Sequence, residues 1–282
     1  MFSAFRLAHL AAVSLLWAAS SAAIAADVTP WDEDVQSAAR LIAARVHNES
    51  GGRVFRAGVE IKLKEGWKTY WRYPGDSGVP PVLDFSKSQN VKTVTVMYPA
   101  PAKFPDGAGG QSIGYVGDVV LPLRVVAANP AKPVTLSLKF DYAVCQKLCV
   151  PAKAELELAL DGDDSASTEA AISIAESKVP KASKVGDGGK FAIRSVHRDN
   201  ATGKPRVVVA VASNDPVTLF AEGPTPQWAL PLPEPLAGPL DGLQRFTFDL
   251  DGLPPGEKAD GATLKLTAVS GGKAIEAAFR LD

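Results

Sequence analysis

Thr135-Leu136-Ser137-Leu138-Lys139-Phe140-Asp141-Tyr142-Ala143-Val144-Cys145-Gln146-Lys147-Leu148-Cys149-Val150-Pro151-Ala152-Lys153-Ala154-Glu155-Leu156-Glu157-Leu158-Ala159-Leu160 contains both cysteines of a 282-residue chain, and its reading decides the fold. Thr135 to Phe140 and Ala154 to Leu160 each alternate apolar and polar side chains, the period of a half-buried strand. Between them lie Cys145 and Cys149. On one continuous strand, at roughly 3.3 Å per residue, their Cα atoms would stand about 13 Å apart, beyond the roughly 4.4 to 6.8 Å that a disulfide spans. If the two are bonded, Gln146-Lys147-Leu148 must turn. A tight hairpin sets the cysteines opposite each other at about 4.5 to 5.5 Å, and one helical turn would also serve. The alternating flanks favour the hairpin.

The same period recurs upstream. Val54, Arg56, Gly58 and Glu60 take one face while Phe55, Ala57, Val59 and Ile61 take the other, and Val119, Leu121, Leu123 and Val125 repeat the pattern. Asn48-Glu49-Ser50-Gly51-Gly52 reads as a turn between Ser37 to Val46 and Arg53 to Leu63. The alanines of Ser37 to Val46 suit a helix equally, and we read a strand there. The chain has 22 prolines and 24 glycines, which disfavour long helices. A polar join begins at Asp161-Gly162-Asp163-Asp164-Ser165-Ala166-Ser167, fits a short helix over Thr168 to Glu176, and closes at Lys184-Val185-Gly186-Asp187-Gly188-Gly189. Beyond it, strand-like runs at Phe191 to His197, Arg206 to Ala212, Val217 to Ala221, Gln244 to Leu250, Thr263 to Ser270 and Ala274 to Leu281 have the spacing of a small β-sandwich. Prolines between Pro224 and Pro239 cannot sit in a central strand and predict an extended connection. The expected organisation is all-β, with a first sandwich over residues 26–160, a polar linker over 161–187 and a second sandwich over 188–282.

Within the first 25 residues Arg6 is the only charged side chain, Leu10 to Ala19 is apolar, and Ala23-Ile24-Ala25 has the small-x-small pattern that signal peptidase reads. Residues 1–25 are therefore expected to be a signal peptide, cleaved near Ala25. The apolar run is shorter than the roughly 20 residues of a membrane span, and nothing later approaches that length, so no stable membrane insertion is expected after cleavage. Without the leader the formal charge is about −2, which argues against nucleic acid or an anionic membrane as partner.

Export places the cysteine pair in an oxidising compartment, where it is either a staple or a carrier of electrons. As a staple it is weak: the chain-entropy estimate for a five-residue ring is roughly 2 kcal/mol. Small exported domains nevertheless use disulfides structurally, and a non-redox binding or adaptor protein is the rival reading. Lys147, between the cysteines, is placed to stabilise a thiolate, the species that attacks, or is an ordinary solvated turn residue. His47 and His197 are remote in sequence and give no support to a Cys-His catalytic pair. Two cysteines and two scattered histidines do not make a zinc site. Two thiolates alone suffice for copper(I), although Met97 is the only methionine after the leader. We expect no bound cofactor. Gly66-Trp67-Lys68-Thr69-Tyr70-Trp71-Arg72-Tyr73 is the second concentration of unusual residues. On a strand Trp67, Thr69, Trp71 and Tyr73 share one face, expected in the core, while Lys68, Tyr70 and Arg72 share the other, where Tyr70 and Arg72 suit a protein-docking surface.

The segments Gly66 to Arg72, Pro74-Gly75-Asp76-Ser77-Gly78-Val79-Pro80-Pro81, Tyr98-Pro99-Ala100-Pro101, Ser112-Ile113-Gly114-Tyr115 and Tyr142 to Pro151 together resemble the periplasmic N-terminal domain of DsbD-type thiol:disulfide interchange proteins. They are closer to the variant found in the suppressor-of-copper-sensitivity membrane reductases, with its link to copper tolerance. The resemblance covers residues of about 35 to 160 and is most specific at the cysteine hairpin with its trailing proline. It implies two tandem immunoglobulin-like β-sandwich domains and a dithiol relay in the periplasm. A thioredoxin-like or membrane-embedded thiol reductase would supply electrons, and oxidised periplasmic client proteins would receive them. By the same resemblance Cys149 makes the intermolecular disulfide and Cys145 resolves it, with Tyr142, Lys147, Pro151, Tyr70 and Phe104 lining the site. The chain departs from DsbD in having three rather than five residues between the cysteines. Its stretch Phe104-Pro105-Asp106-Gly107-Ala108-Gly109-Gly110-Gln111, where the family has an acidic-aromatic cap loop, is glycine-rich with no aromatic after Phe104.

Overall fold

The computed structural model describes residues 27–49, 52–75, 77–106, 109–160, 166–200, 204–237 and 242–282. The expected leader, the tip of the 48–52 turn and the start of the polar join at 161–165 lie outside the described residues.

Two antiparallel sheets enclose the first core. One runs in the order β1 (Asp32–Glu33), β2 (Ser37–Glu49), β3 (Gly52–Leu63), β9 (Val119–Ala127), β6 (Val91–Val96). The other runs β11 (Cys149–Leu160), β10 (Val134–Cys145), β4 (Lys68–Gly75), β8 (Gln111–Val116), β7 (Ala102–Pro105), with β5 (Val82–Asp84) also pairing with β10. Trp71, Phe55, Phe140, Leu121 and Leu136 fill the space between them. Trp71 and Tyr73 lie in this core with Trp67 and the buried Thr69 beside it, so the aromatic stripe faces inward as its alternation predicts.

β2 forms a strand despite its alanines because both of its faces are covered. Ala39, Leu41 and Ala43 face the sandwich interior, while Ile42 and Ala44 pack on the other side against Ile172 of α1 (Ala166–Ser177). Arg56 of β3 pins that helix, donating to Glu169 at 2.5 Å, to Glu176 at 2.6 Å and to Ser173 at 2.9 Å. The polar join therefore carries two ordered elements that go opposite ways. The helix docks on the first sheet, and β12 (Lys181–Ala182) adds in parallel to β19 (Lys273–Arg280) of the second unit.

The second core lies between the sheet β12, β19 (Lys273–Arg280), β18 (Thr263–Ser270), β15 (Val217–Glu222) and the sheet β13 (Ala192–Asp199), β14 (Arg206–Ala212), β17 (Leu243–Asp249), β16 (Glu234–Pro235). Six valine and alanine side chains in a row on β14 are buried, the signature of a central strand covered on both faces. The proline-rich connection keeps out of any central strand as expected: it turns over residues 224–227, where the Trp228 N–H donates to the Thr225 carbonyl at 3.1 Å, and adds only β16 at the sheet edge. It also inserts Trp228 and Leu230 into the core, and the Trp228 indole N–H donates to Glu257. The chain is all-β with one helix among the described residues. Among the described residues no helix is long and apolar enough to cross a membrane.

Candidate functional site

The β10–β11 hairpin keeps an unbroken register from Val134 opposite Leu160 to Cys145 opposite Cys149. The cysteines are disulfide-bonded across the last rung with Cα atoms 4.1 Å apart. Gln146, Lys147 and Leu148 make the turn, closed by a hydrogen bond from the Gln146 N–H to the Leu148 carbonyl at 3.3 Å. Strand alternation then sorts the side chains. Phe140, Tyr142, Val144 and Ala152 face the core, whereas Ala143, Cys145, Cys149 and Pro151 face outward.

The neighbouring strand completes the outward face. β4 pairs with the end of β10 through Val144 opposite Thr69 and Cys145 opposite Lys68, and the Thr69 hydroxyl donates to the Ala143 carbonyl at 3.0 Å. Tyr70 therefore projects on the cysteines' side. Its hydroxyl lies 2.8 Å from Cys145 Sγ and 3.0 Å from Cys149 Sγ. From β7, Phe104 places its ring 6.4 Å from that of Tyr70, and the Lys68 ammonium sits 4.9 Å from the Phe104 ring centre, within cation–π range. Tyr70, Phe104, Ala143 and Cys145 form a small buried cluster separate from both sandwich cores.

Burial across the disulfide is lopsided. Cys145 is 8% exposed beneath Tyr70 and Phe104, whereas Cys149 is exposed and lies between Leu148, at 77%, and the exposed Val150. Burial raises the Tyr70 phenol above its usual pKa. A hydrogen bond with Ser112 opposes this and the Asp106 carboxylate adds to it, so Tyr70 stays protonated and remains a donor across neutral pH. Asp106 is held in place by the Ser77 hydroxyl at 2.6 Å and the Gly110 N–H at 2.9 Å.

Two glycines let the backbone come this close. A Cβ on Gly114 would stand 2.0 Å from the Thr69 carbonyl oxygen, so β8 can lie against β4 beside Tyr70 only with glycine there. A Cβ on Gly78 would reach the Tyr70 ring at 2.7 Å.

The structure thus brings Cys145, Cys149, Tyr70 and Phe104 together. Pro151 lies opposite Ala143 on the same outward face and is exposed, and Lys147 is exposed in the turn. Tyr142 is on the other side of the sheet. Its hydroxyl hydrogen-bonds with Ser37 Oγ at 2.8 Å and its ring stacks on Phe140 at 4.3 Å, inside the core. Lys68, Ser77, Asp106 and Ser112 were not singled out from the sequence. Lys68 shares the face of Tyr70 by simple alternation, and Ser77, Asp106 and Ser112 lie in the quoted segments, so a signal for all four was present. Among the described residues no group of three or more His, Cys, Asp or Glu side chains is placed to hold a metal.

Residues 38–161 match the family described as thiol:disulfide interchange protein DsbD, N-terminal. The resemblance read from the cysteine hairpin holds over that stretch. The crystal structure of the N-terminal periplasmic domain of ScsB from Proteus mirabilis superposes with a TM-score of 0.70 at 22% sequence identity, covering 90% of this chain and 98% of that one. At that identity the likeness establishes a shared fold across both sandwiches. No curated protein sequence matches the chain.

Proposed function

We propose that the protein is a periplasmic thiol:disulfide interchange module that passes electrons through Cys145 and Cys149 from a thioredoxin-like or membrane-embedded reductase to oxidised periplasmic proteins. Its two sandwiches are taken as tandem immunoglobulin-like domains, and residues 1–25 as the export signal. The observation that carries the reading is the lopsided disulfide. One sulfur belongs to an exposed residue, the other to a residue sealed under a hydroxyl donor. A staple needs neither feature.

The chemistry follows from that asymmetry. A reductase thiolate attacks Cys149 Sγ, the Cys145–Cys149 bond breaks, and its electron pair goes to Cys145 Sγ. There the Tyr70 O–H donates to the new thiolate. The reductase's second thiolate then attacks its own sulfur in the mixed disulfide, leaving oxidised reductase and a reduced pair on this chain. In the second half-reaction the Cys149 thiolate attacks a client disulfide. Cys145 then attacks Cys149 Sγ, re-forming the internal bond and releasing the client as a dithiol. Two electrons enter and two leave. Because burial and the Asp106 charge keep the Tyr70 phenol protonated, the donor is available in both half-reactions.

Trapping tests the reading. Cys145→Ser leaves the attacking thiol without its resolving partner and is expected to accumulate mixed disulfides with periplasmic proteins, whereas Cys149→Ser accumulates few. The reverse outcome exchanges the two roles. If neither variant captures anything, and the reduction potential lies below about −300 mV rather than near or above about −230 mV, the disulfide is a staple and the adaptor reading stands.

A further inference from the structure

Two strands deliver the side chains that cover the disulfide, and the second sandwich grips each strand at the residue beside the delivery point. On β4, Tyr70 is followed by Trp71, whose ring lies 5.7 Å from Phe220 of β15. Next, the Arg72 guanidinium donates to both Glu222 carboxylate oxygens, at 2.9 and 2.6 Å, and also to Glu276 of β19. The Tyr73 hydroxyl then donates to the Leu230 carbonyl at 2.7 Å. On β7, Lys103 immediately precedes Phe104. Its ammonium donates to the Pro233 carbonyl at 3.1 Å and lies 5.7 Å from the Phe220 ring centre.

This grip falls where β4 loses its regular pairing. The β4–β8 register runs from Lys68 opposite Val116 to Tyr70 opposite Gly114, then shifts and resumes at Gly75 opposite Ser112. Trp71 to Pro74 therefore leave the β8 ladder just past Tyr70; Trp71 and Tyr73 pack in the first core but each also meets the second sandwich, which holds the Arg72 guanidinium. Burial works against the Arg72 charge, yet Glu222 and Glu276 hold its pKa above the ordinary arginine value, so the ion pairs are made under all physiological conditions. A forked guanidinium bound at two carboxylates fixes direction as well as distance.

We propose that the second sandwich is a positioning clamp for the redox pair, and that Arg72, held by Glu222 and Glu276, keeps the Tyr70 hydroxyl on the Cys145 and Cys149 sulfurs. This rests on the thiol-exchange reading above. The double variant Glu222→Gln/Glu276→Gln removes the charges at constant volume, and Tyr73→Phe removes one neutral hydrogen bond. Each is made in the full-length chain, alone and with Tyr70→Phe, and its equilibrium constant for reduction by glutathione is measured beside its thermal midpoint.

Loosening the clamp is expected to lower that constant by about threefold to tenfold, the larger value corresponding to ~30 mV. In the Tyr70→Phe background the same changes are expected to do nothing, because the group they act through is gone. The proposal is overturned if the constants match wild type, or if they shift equally with and without the Tyr70 hydroxyl, since a merely structural contact would behave that way. Should the double variant fail to fold, Tyr73→Phe decides alone. A wild-type disulfide that neither glutathione nor dithiothreitol reduces sinks the exchange reading itself, and that result appears before any clamp variant is made.

Discussion

Removing one oxygen atom tests the proposed chemistry most directly. Tyr70→Phe keeps the ring that packs on Phe104 and Cys145 and deletes only the hydroxyl lying 2.8 and 3.0 Å from the two sulfurs. A disulfide sulfur is a weak acceptor and a thiolate is a charged one, so the lost bond costs the reduced state more than the oxidised state. A hydrogen bond to a charged group is worth about 1.5–3 kcal/mol, and allowing for the weak bond forfeited by the disulfide leaves a difference of about 1–2 kcal/mol. At about 1.4 kcal/mol per 30 mV for a two-electron couple, the reduction potential should fall by roughly 20–45 mV. Equivalently, the equilibrium constant with glutathione should drop by a factor of about 5–30. The assay equilibrates the folded protein in glutathione buffers and quantifies the free thiols after acid quenching. A potential unchanged to within about 5 mV, or one that rises, would refute the claim that Tyr70 stabilises the reduced pair.

Other perturbations separate the site from its scaffold. Gly114→Ala drives a Cβ to 2.0 Å from the Thr69 carbonyl and should cost about 2 kcal/mol or more, read as a lowered thermal midpoint. Tyr142→Phe leaves the buried Ser37 hydroxyl without its 2.8 Å partner and should cost about 1–2 kcal/mol in urea unfolding; because Tyr142 faces the core, the reduction potential should not move. Reducing the disulfide should lower stability by only about 2 kcal/mol, since the ring it closes is small, and circular dichroism should show the folded spectrum in both redox states. Burial pushes the Tyr98 phenol up from 10.0 to about 12. The folded chain therefore keeps a proton that the unfolded chain loses, and the stabilisation is complete below pH 10 and fades as pH rises towards about 12. Tyr98→Phe should flatten the alkaline fall in denaturation midpoint over that window.

The parts of this molecule legible in its sequence are those governed by local periodicity. Alternation through Thr135 to Phe140 and Ala154 to Leu160, with two cysteines that can bond only across a turn, leads to the observed hairpin. Arg206 to Ala212 and Thr263 to Ser270 are strands over those same residues. Ser37 to Val46 was ambiguous for a physical reason: α1 covers its outer face, so apolar residues occupy both sides and the period weakens. Tyr142 shows the limit of resemblance as a guide. Alternation alone sets it opposite to Cys145, three residues on, and it lies in the core. The grip of Glu222 and Glu276 on Arg72 joins residues 150 and 204 positions apart, and no local pattern announces such a pairing. Nor does composition reveal that a proline-rich connection will bury Trp228 and present the Leu230 carbonyl to Tyr73.

A disulfide that trades electrons must open without loosening the fold, and the hairpin explains how this one can. The strands on either side of the pair are held together by their own continuous ladder and by Phe140, Val144, Ala152 and Ala154 packing inward, so cleavage of the sulfur bond frees a three-residue turn and little else. The order of events then follows from burial. In the proposed exchange an incoming thiolate meets the exposed Cys149, and the departing electron pair is driven onto Cys145, where low polarity would make a bare thiolate costly. The Tyr70 hydroxyl offsets that cost at the one place where charge develops. If the exposure of the two cysteines were exchanged, the leaving thiolate would form in water, and Tyr70 would add little. Cys145 thus needs a donor because it is buried, the donor needs β4 held in place, and β4 departs from its β8 ladder just beyond Tyr70. On this reasoning the second sandwich is part of the redox site, even though it contributes no atom to the exchange.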